Sequence, residues 1–234
     1  MSIEFKASTQ GLRGIELLDG LSPERLEALA RDCRWCRYDA GQYIIARNGA
    51  DRDVFLVVSG RVRITIYAAG GRQVTFQDEQ RGAILGDMAA IDDGPRSADA
   101  VALDSVLTAS LTAPAFKRLL AQEPAVSERI MRHLTALVRA LSERVIDLST
   151  QGVGSRIQCE LLRLARLGAV QGNVARISPA PRHSDIASQV STYREQVTRE
   201  LSALNRAGLL GREDGALVIT DLSRLQRLVE AGRC

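Results

Sequence analysis

The sequence predicts an α+β protein in three parts, and three observations lead to this fold class. Short apolar segments punctuated by glycines run from about residue 34 to residue 111, a spacing typical of a β-sandwich, jelly roll or small barrel. A long helical pattern without Pro or Gly follows, and the last third of the chain combines helical patterns with a hairpin. The 234 residues are enough for one large domain or two modest ones, with a buried core.

The N-terminal part begins with a helix and continues as short strands. Ser22 and Pro23 mark the helix start, because Ser caps a first turn and Pro fits the first helical position. The candidate strands cover residues 43–45, 54–58, 62–67, 74–76 and 106–108. We therefore predict that residues 1–124 form one β-rich domain, a β-sandwich, a jelly roll (β-roll) or a small barrel.

The second part is a helix predicted from about residue 125 to residue 149. Its apolar residues recur every three or four positions, close to a heptad stripe, at Ile130, Leu134, Leu137, Leu141, Val145 and Leu148. A helix facing the core of a monomer gives the same stripe, but the polar remainder of this helix favours pairing with a second copy. We predict that residues 125–151 are a dimerisation helix and hinge, with a break at Gly152 and Gly154.

The third part, residues 152–234, predicts a winged helix-turn-helix. A helix over 155–167 precedes two helices joined by a short turn within 184–207, a hairpin over 208–220, and a last helix that Asp221 caps. The apolar face of the first short helix is Ile186, Ala187 and Val190, and that of the second is Val197, Leu201 and Leu204. The hairpin corresponds to the wing.

The polar face of the second short helix indicates binding to double-stranded DNA. Arg194, Glu195, Thr198 and Arg199 lie opposite the apolar face. Arg can bond guanine and Glu can accept from cytosine in the major groove. Residues 152–234 carry 12 Arg and 8 Asp/Glu, net +4, whereas residues 1–151 have a net charge of −1. The alternative is an ordinary solvated helix face, which the turn, the basic excess and the hairpin disfavour.

Residues 82–98 predict an anion-binding turn. Gly86 leads into a short helix whose backbone N–H groups can face an anion. Arg96 offers a bidentate cation, Ser97 a hydroxyl donor, and Asp87 an acceptor suited to a sugar hydroxyl. The alternative is a structural segment in which Arg96 pairs with Asp87, Asp92 or Asp93.

The second short helix resembles that of the Crp/Fnr family of bacterial transcription regulators. The family's Ser-Arg-Glu-x-Val-x-Arg reads here from Tyr193 to Arg199, and the resemblance extends from about residue 17 to residue 228 in the same order of elements. Members often have Gly in the turn where this chain has Ser191. We expect Ser191 to adopt a conformation that Gly adopts more cheaply, and Thr192 to cap the second helix.

Residues 86–98 resemble the phosphate-binding cassette of cyclic-nucleotide-binding domains. The motif Gly-Glu-Leu…Arg-Ser-Ala reads here as Gly86, Asp87, Met88, Arg96, Ser97 and Ala98. The resemblance implies that Arg96 and Ser97 bind a cyclic phosphate and that Asp87, one methylene shorter than Glu, binds the ribose. An ungapped match also implies that Leu141 and Ser142 contact the base. Leu141 has no hydroxyl that could bond the base. Both cAMP and cGMP therefore remain candidate ligands.

The resemblance implies a homodimer on an inverted-repeat operator, with a cyclic nucleotide as allosteric ligand, no covalently bound cofactor, and RNA polymerase as a possible partner. One alternative is a regulator of the same family whose roll binds no cyclic nucleotide. Another is a redox or gas sensor. The latter is disfavoured because Cys33, Cys36, Cys159 and Cys234 are scattered and because His133 and His183, the two histidines, are not predicted in the roll.

Neither an enzyme nor a membrane protein is expected. A metal-dependent jelly-roll enzyme needs clustered His inside the barrel, so we predict no catalytic residue and no metal site. No apolar run approaches the roughly 20 residues that span a bilayer. The first 20 residues lack the pattern of a secretory signal, so a cytoplasmic location without a membrane partner is expected.

Overall fold

The computed structural model describes residues 9–67 and 73–232, and it has the predicted α+β fold. The chain forms two compact units. The first contains the described residues up to Ile66 and those from Phe76 to Val138. The second contains the described residues among 67–75 and those from Arg139 onward.

The N-terminal part combines short helices with eight strands. Its helices are α1 (Thr9–Leu12), a 3₁₀ turn (Glu16–Leu18), α2 (Pro23–Asp32), α3 (Asp87–Asp92) and α4 (Ala113–Gln122). Its strands are β1 (Arg34–Tyr38), β2 (Tyr43–Ile45), β3 (Val54–Ser59), β4 (Arg61–Tyr67), β5 (Gln73–Gln80), β6 (Ile84–Leu85), β7 (Asp99–Ala102) and β8 (Val106–Leu111). Ser22 caps α2 by accepting a hydrogen bond from the Arg25 backbone N–H, as predicted.

The eight strands described in this part form two four-stranded sheets. One has the order β1-β8-β3-β6 and the other the order β2-β7-β4-β5. Phe55 on β3 pairs with Leu85 on β6, so the short β6 strand is fixed to the sheet directly before α3 begins. The sheets therefore hold the start of the predicted anion-binding turn in one position.

Two clusters of buried side chains form the core of this part. One joins α1, α2 and α4 to the β1-β8-β3-β6 sheet, and Phe116 on α4 lies in it with no exposed surface. The other contains Ile44, Phe55, Val62 and Leu85. Apolar burial on this scale is the main source of stability of a domain of this size.

Helix α5 (Pro124–Thr150) is one residue longer at each end than predicted. Ile130, placed in the predicted stripe, is instead buried in the core beside α4, with 3% exposure. The large apolar side chains that this helix exposes are Met131, Val138, Leu141, Val145, Ile146 and Leu148. The first compact unit ends within α5, between Val138 and Arg139. This boundary differs from the limits predicted after residues 124 and 151, which stay a prediction.

The C-terminal part contains all elements of the predicted winged helix-turn-helix. Its helices are α6 (Val153–Leu167), α7 (His183–Gln189), α8 (Arg194–Arg206) and α9 (Leu222–Ala231). Its strands are β9 (Ala169–Gln171), β10 (Val174–Ile177), β11 (Leu210–Glu213) and β12 (Ala216–Ile219), in the sheet order β11-β12-β10-β9. Gly152 precedes α6 at the predicted break, and Asp221 caps α9 through the Arg224 N–H.

The sequence did not predict α1, the 3₁₀ turn, β6, β7, α4, β9 or β10 as elements. β6 has two residues and β9 three, so neither is long enough to show a period. α4 begins with the signal Thr112-Ala113-Pro114, in which the Thr112 hydroxyl accepts from the Ala115 N–H. That capping signal was present in the sequence and could have identified α4.

The buried ring of Phe116 yields a prediction for stability. Phe116→Ala should lower the free energy of unfolding by about 3–5 kcal/mol, because it removes a fully buried ring and leaves a cavity. Urea unfolding followed by circular dichroism measures this loss. Arg118→Ala, an exposed position on the same helix, is the control and should change stability by no more than about 0.5 kcal/mol. Equal effects of the two changes would contradict the assignment of Phe116 to the core.

Candidate ligand-binding site and nucleic-acid interface

Gly86 makes the turn between β6 and α3 in a left-handed conformation, with φ of 78°. A Cβ atom at this position would overlap Arg96 Nη1 and lie 2.9 Å from the Asp53 carbonyl oxygen. Gly is therefore required both by the backbone and by the close approach of the Arg96 guanidinium. The turn predicted from the sequence is present.

Arg96 is buried beneath this turn, with 3% of its surface exposed. Its Nη1 donates to the Gly86 carbonyl at 3.0 Å, and its Nη2 donates to the Asp53 carbonyl at 2.7 Å. Nη2 also pairs with the carboxylate of Asp51. The buried Nε has no hydrogen-bond partner among the described residues. The Nε–H of Arg96 is thus available to an acceptor that the described residues do not supply.

The pairing of Arg96 with Asp87, Asp92 or Asp93, the structural alternative from the sequence, is wrong. The hydrogen bonds of Arg96 to a carboxylate go to Asp51. Asp92 accepts instead from the Gly94 N–H at 2.8 Å, and Asp93 pairs with Lys117 at 2.7 Å. Sequence reasoning missed Asp51, because it lies 45 residues before Arg96 and only the tertiary fold brings the two together.

Asp87, the first residue of α3, is a buried carboxylate with an unpaired oxygen. Its Oδ2 has no hydrogen-bond partner among the described residues, and His133 Nε2 lies 3.7 Å from it. Burial raises the pKa of Asp87, while the His133 charge and the N–H groups of Asp87 and Met88 oppose the rise. An unpaired buried acceptor costs free energy, so this oxygen is suited to a ligand donor.

His133 is the functional candidate that sequence reasoning placed outside the site. It lies on α5, in the same compact unit as Asp87 and Arg96, and its side chain is 36% exposed. It also acts on Glu79, where burial raises the pKa of the carboxyl and the His133 charge opposes that shift. A lone His on a long helix has no sequence signal that connects it with a turn more than 40 residues earlier.

The other predicted pocket residues differ in exposure. Ser97 and Met88 are exposed, and Ala98 is half-buried. Leu141, with 41% of its surface exposed, and Ser142 lie farther along α5, within the second compact unit. The structure therefore brings Gly86, Asp87 and Arg96 together, while the predicted roles of Leu141 and Ser142 stay predictions.

The helix-turn-helix has the predicted packing. Ile186, Ala187 and Val190 are buried on one side of the turn, and Val197, Leu201 and Leu204 are buried on the other. Ser191 has φ of 55°, the left-handed conformation expected where relatives often carry Gly. The expectation that Thr192 caps α8 is wrong: Tyr193 is the N-cap, without a side-chain capping hydrogen bond, and Thr192 is buried.

Two arginines from neighbouring helices hold the turn. Arg144 on α5 donates from Nη2 to the Gln189 carbonyl at 3.0 Å and to Ser191 Oγ at 3.1 Å. Arg156 on α6 donates from Nε to the Val190 carbonyl at 3.2 Å and from Nη1 to the Gln151 carbonyl at 2.9 Å. These contacts satisfy carbonyls at the end of α7 and fix the direction of α8. Sequence reasoning did not identify them.

The face of α8 opposite the core is exposed at Arg194, Glu195, Thr198 and Arg199. The Thr198 hydroxyl donates to the Arg194 carbonyl at 3.0 Å and lies 2.8 Å from His183 Nδ1. Within residues 9–67 and 73–232, the charged groups of Arg194, Glu195 and Arg199 have no hydrogen bond or ion pair and are free to bind a ligand.

The side chains around His183 create a positive field beside α8. Partial burial lowers the pKa of His183, and the charges of Arg212 and Arg194 lower it further. Arg212 lies on β11 of the wing, with Nη2 3.5 Å from His183 Nε2. Cations from the wing and from α8 are therefore close together, as a surface for a polyanion requires.

No group of His, Cys, Asp and Glu able to hold a metal ion occurs among the residues that the structure describes. Cys33 is the C-cap of α2, and burial raises its pKa to about 12. Cys36 on β1 and Cys159 on α6 are half-buried free thiols, and Cys234 lies outside the described residues. In the described ranges, no helix is long and apolar enough to span a membrane.

Family models match both parts of the chain. Residues 35–123 match the cyclic nucleotide-binding domain, and residues 128–228 match the Crp-like helix-turn-helix domain. The Thermus thermophilus cyclic AMP receptor protein is 27% identical over 217 residues, covering 93% of this chain and 98% of that protein. A Mycobacterium tuberculosis CRP-like cAMP-activated global transcriptional regulator is 26% identical over 212 residues, covering 90% and 95%.

A solved structure has the same fold. It is the c-di-GMP-responsive global regulator CLP of Xanthomonas campestris, with a TM-score of 0.75 at 17% identity, covering 85% of this chain and 99% of that one. The fold and the two sites define a ligand-binding β-roll joined to a DNA-binding winged helix. The chain belongs to the Crp/Fnr family of DNA-binding transcription regulators.

The buried carboxylate of Asp87 yields a prediction for pH dependence. Because burial raises its folded pKa above the ordinary value of 3.8, ionisation of Asp87 opposes folding as the pH rises through that folded pKa. Asp87→Asn removes this effect. The variant should therefore gain stability over the unchanged protein as the pH rises above 4, and the gain should level off once Asp87 is ionised.

Urea unfolding of the ligand-free protein at intervals from pH 4 to pH 8 measures this difference. Asp93→Asn is the control, because the Asp93 carboxylate is 73% exposed and its ionisation requires little desolvation. A difference between the Asp87 variant and the unchanged protein that stays constant over this range would contradict the prediction.

Proposed function

We propose that this regulator binds a cyclic nucleotide, cAMP or cGMP, in its β-roll and that the ligand controls its affinity for DNA. The observation that carries the proposal is the pair of unsatisfied buried atoms, the donor Arg96 Nε and the acceptor Asp87 Oδ2. A ligand with an anionic phosphate and a neighbouring hydroxyl satisfies both. The related proteins named as cAMP-activated or as cyclic AMP receptors support this ligand class.

In this proposal each cassette residue has a part. Arg96 and Ser97 bind the cyclic phosphate, and Asp87 accepts from the ribose hydroxyl. Gly86, Met88 and Ala98 provide the backbone around the ligand. Leu141 and Ser142 contact the base, a role that rests on the ungapped family match. Leu141 offers the base no hydrogen bond, which leaves the choice between adenine and guanine to experiment.

The proposed functional form is a homodimer that pairs through α5. Five of the exposed apolar side chains, Met131, Val138, Leu141, Val145 and Leu148, follow one another at intervals of 7, 3, 4 and 3 residues. This is the heptad spacing of two paired helices, and an apolar stripe in water favours association. Two recognition helices in such a dimer reach major-groove half-sites about 34 Å apart, so we propose an inverted-repeat operator.

The proposed DNA contacts are the free side chains on α8. Arg194, Glu195 and Arg199 read base edges, and the methyl group of Thr198 offers an apolar contact to thymine. By family resemblance the half-site is TGTGA-like. Ligand binding and DNA binding are then linked thermodynamically, with RNA polymerase as a partner at the promoter. A cytoplasmic regulator without catalytic activity fits this role.

Arg96 provides the test of the ligand proposal. Arg96→Gln should weaken binding of cAMP or cGMP by about 10- to 100-fold, because the phosphate loses its charged donor. Isothermal titration calorimetry with each nucleotide measures the affinity. Ser105→Ala, a loop change outside the cassette, is the control. If the unchanged protein binds neither nucleotide, the regulator responds to another ligand or to none.

The DNA interface has its own test. Arg194→Ala, Glu195→Ala and Arg199→Ala should each cost about 1–3 kcal/mol per half-site on an operator, because a base contact is lost. Fluorescence anisotropy at fixed salt compares operator with random DNA, whose binding should fall less. Arg206→Ala, at the exposed far end of the same helix, controls for charge. Equal losses on the two DNAs would mean that these residues contact only the backbone.

A further inference from the structure

Asp51 holds the cation that the proposed ligand needs. It lies in the segment between β2 and β3, and its side chain is 52% exposed while that of Arg96 is 2% exposed. Its carboxylate pairs with Arg96 Nη2, the nitrogen that also donates to the Asp53 carbonyl. A carboxylate already on the guanidinium occupies the kind of contact that a phosphate makes.

The geometry of a guanidinium decides what an incoming anion must displace. A side-on bidentate contact uses the N–H of Nε together with one N–H of Nη2. In Arg96, Nε is free, but both hydrogens of Nη2 are committed, one to Asp51 and one to Asp53. An anion can therefore take this edge only if one of the two acceptors leaves.

The two acceptors differ in how easily they leave. The Asp53 carbonyl belongs to the backbone directly before β3, which is a central strand of its sheet. The Asp51 carboxylate ends a half-exposed side chain that can rotate into water, where it is solvated at little cost. Two anions on one guanidinium also repel each other. Displacement of Asp51 is thus the easier route, and the negative charge of Asp51 opposes entry of the ligand.

We propose that Asp51 is a built-in competitor of the anionic ligand and a determinant of its affinity. It occupies Arg96 in the ligand-free protein, and ligand must displace it. The identity of the ligand as a cyclic nucleotide rests on the proposed function, whereas competition for Arg96 requires only that the pocket bind an anion. Asp51 thereby sets the ligand concentration at which the regulator responds.

The test compares Asp51→Asn and Asp51→Ala with the unchanged protein. Both changes remove the charge, and Asn keeps the shape of the side chain. Calorimetry with cAMP and with cGMP should give an affinity about 3- to 10-fold higher in both variants. Asp93→Asn, which removes one charge from the cassette without touching Arg96, is the matched control and should change affinity less than 2-fold. In the double variant Asp51→Asn/Arg96→Gln the gain should disappear.

A second measurement separates this proposal from the choice of ligand. Inorganic phosphate is titrated while the thermal unfolding temperature is followed, with chloride at equal ionic strength as reference. One outcome is that neither nucleotide binds, but phosphate raises the unfolding temperature of Asp51→Asn more steeply than that of Asp93→Asn. The proposed competition between Asp51 and an anion for Arg96 is then supported, and the cyclic-nucleotide proposal fails. Two outcomes would overturn the proposal. One is nucleotide binding that is unchanged or weaker in both Asp51 variants, and the other is an equal response of Asp51→Asn and Asp93→Asn to phosphate where no nucleotide binds. Asp51 would then only position Arg96.

Discussion

The ligand half of the molecule depends on burying a guanidinium beneath a turn that only Gly can make. Arg96 bonds the carbonyls of Gly86 and Asp53, which fixes the start of α3 relative to the β1-β8-β3-β6 sheet. Burying a cation is costly unless its donors are satisfied, and here the backbone and Asp51 satisfy most of them. The remaining unsatisfied atoms, Arg96 Nε and Asp87 Oδ2, make the pocket more favourable when a complementary ligand is bound.

The DNA-binding half rests on a comparable constraint at the helix-turn-helix. Ser191 adopts a left-handed conformation at a cost that Gly would avoid, and its hydroxyl accepts from Arg144. Arg144 and Arg156 also bind the carbonyls at the end of α7. Because Arg144 lies on α5, the second half of that helix is hydrogen-bonded directly to the turn that precedes α8.

Helix α5 has three different roles along its length, and its side chains reflect them. Near its start, Ile130 is buried with the core of the first unit. Farther along, large apolar side chains are exposed on the single chain, which is unfavourable in water and favours association. His133, between these two stretches, faces Asp87. One helix therefore carries residues for the core, for the pocket and for the proposed dimer.

The sequence alone determined the order of the three parts, the two buried faces of the helix-turn-helix and the Gly86 turn, because each depends on local periodicity or on residues close together in the chain. The tertiary structure decided which acid binds Arg96, that His133 faces Asp87, and that Arg144 holds the Ser191 turn. It also decided that Ile130 belongs to the core and Val138 to the exposed stripe. These contacts join residues far apart in sequence, and a 3.6-residue period does not distinguish adjacent positions on one helix face until the packing partner is known.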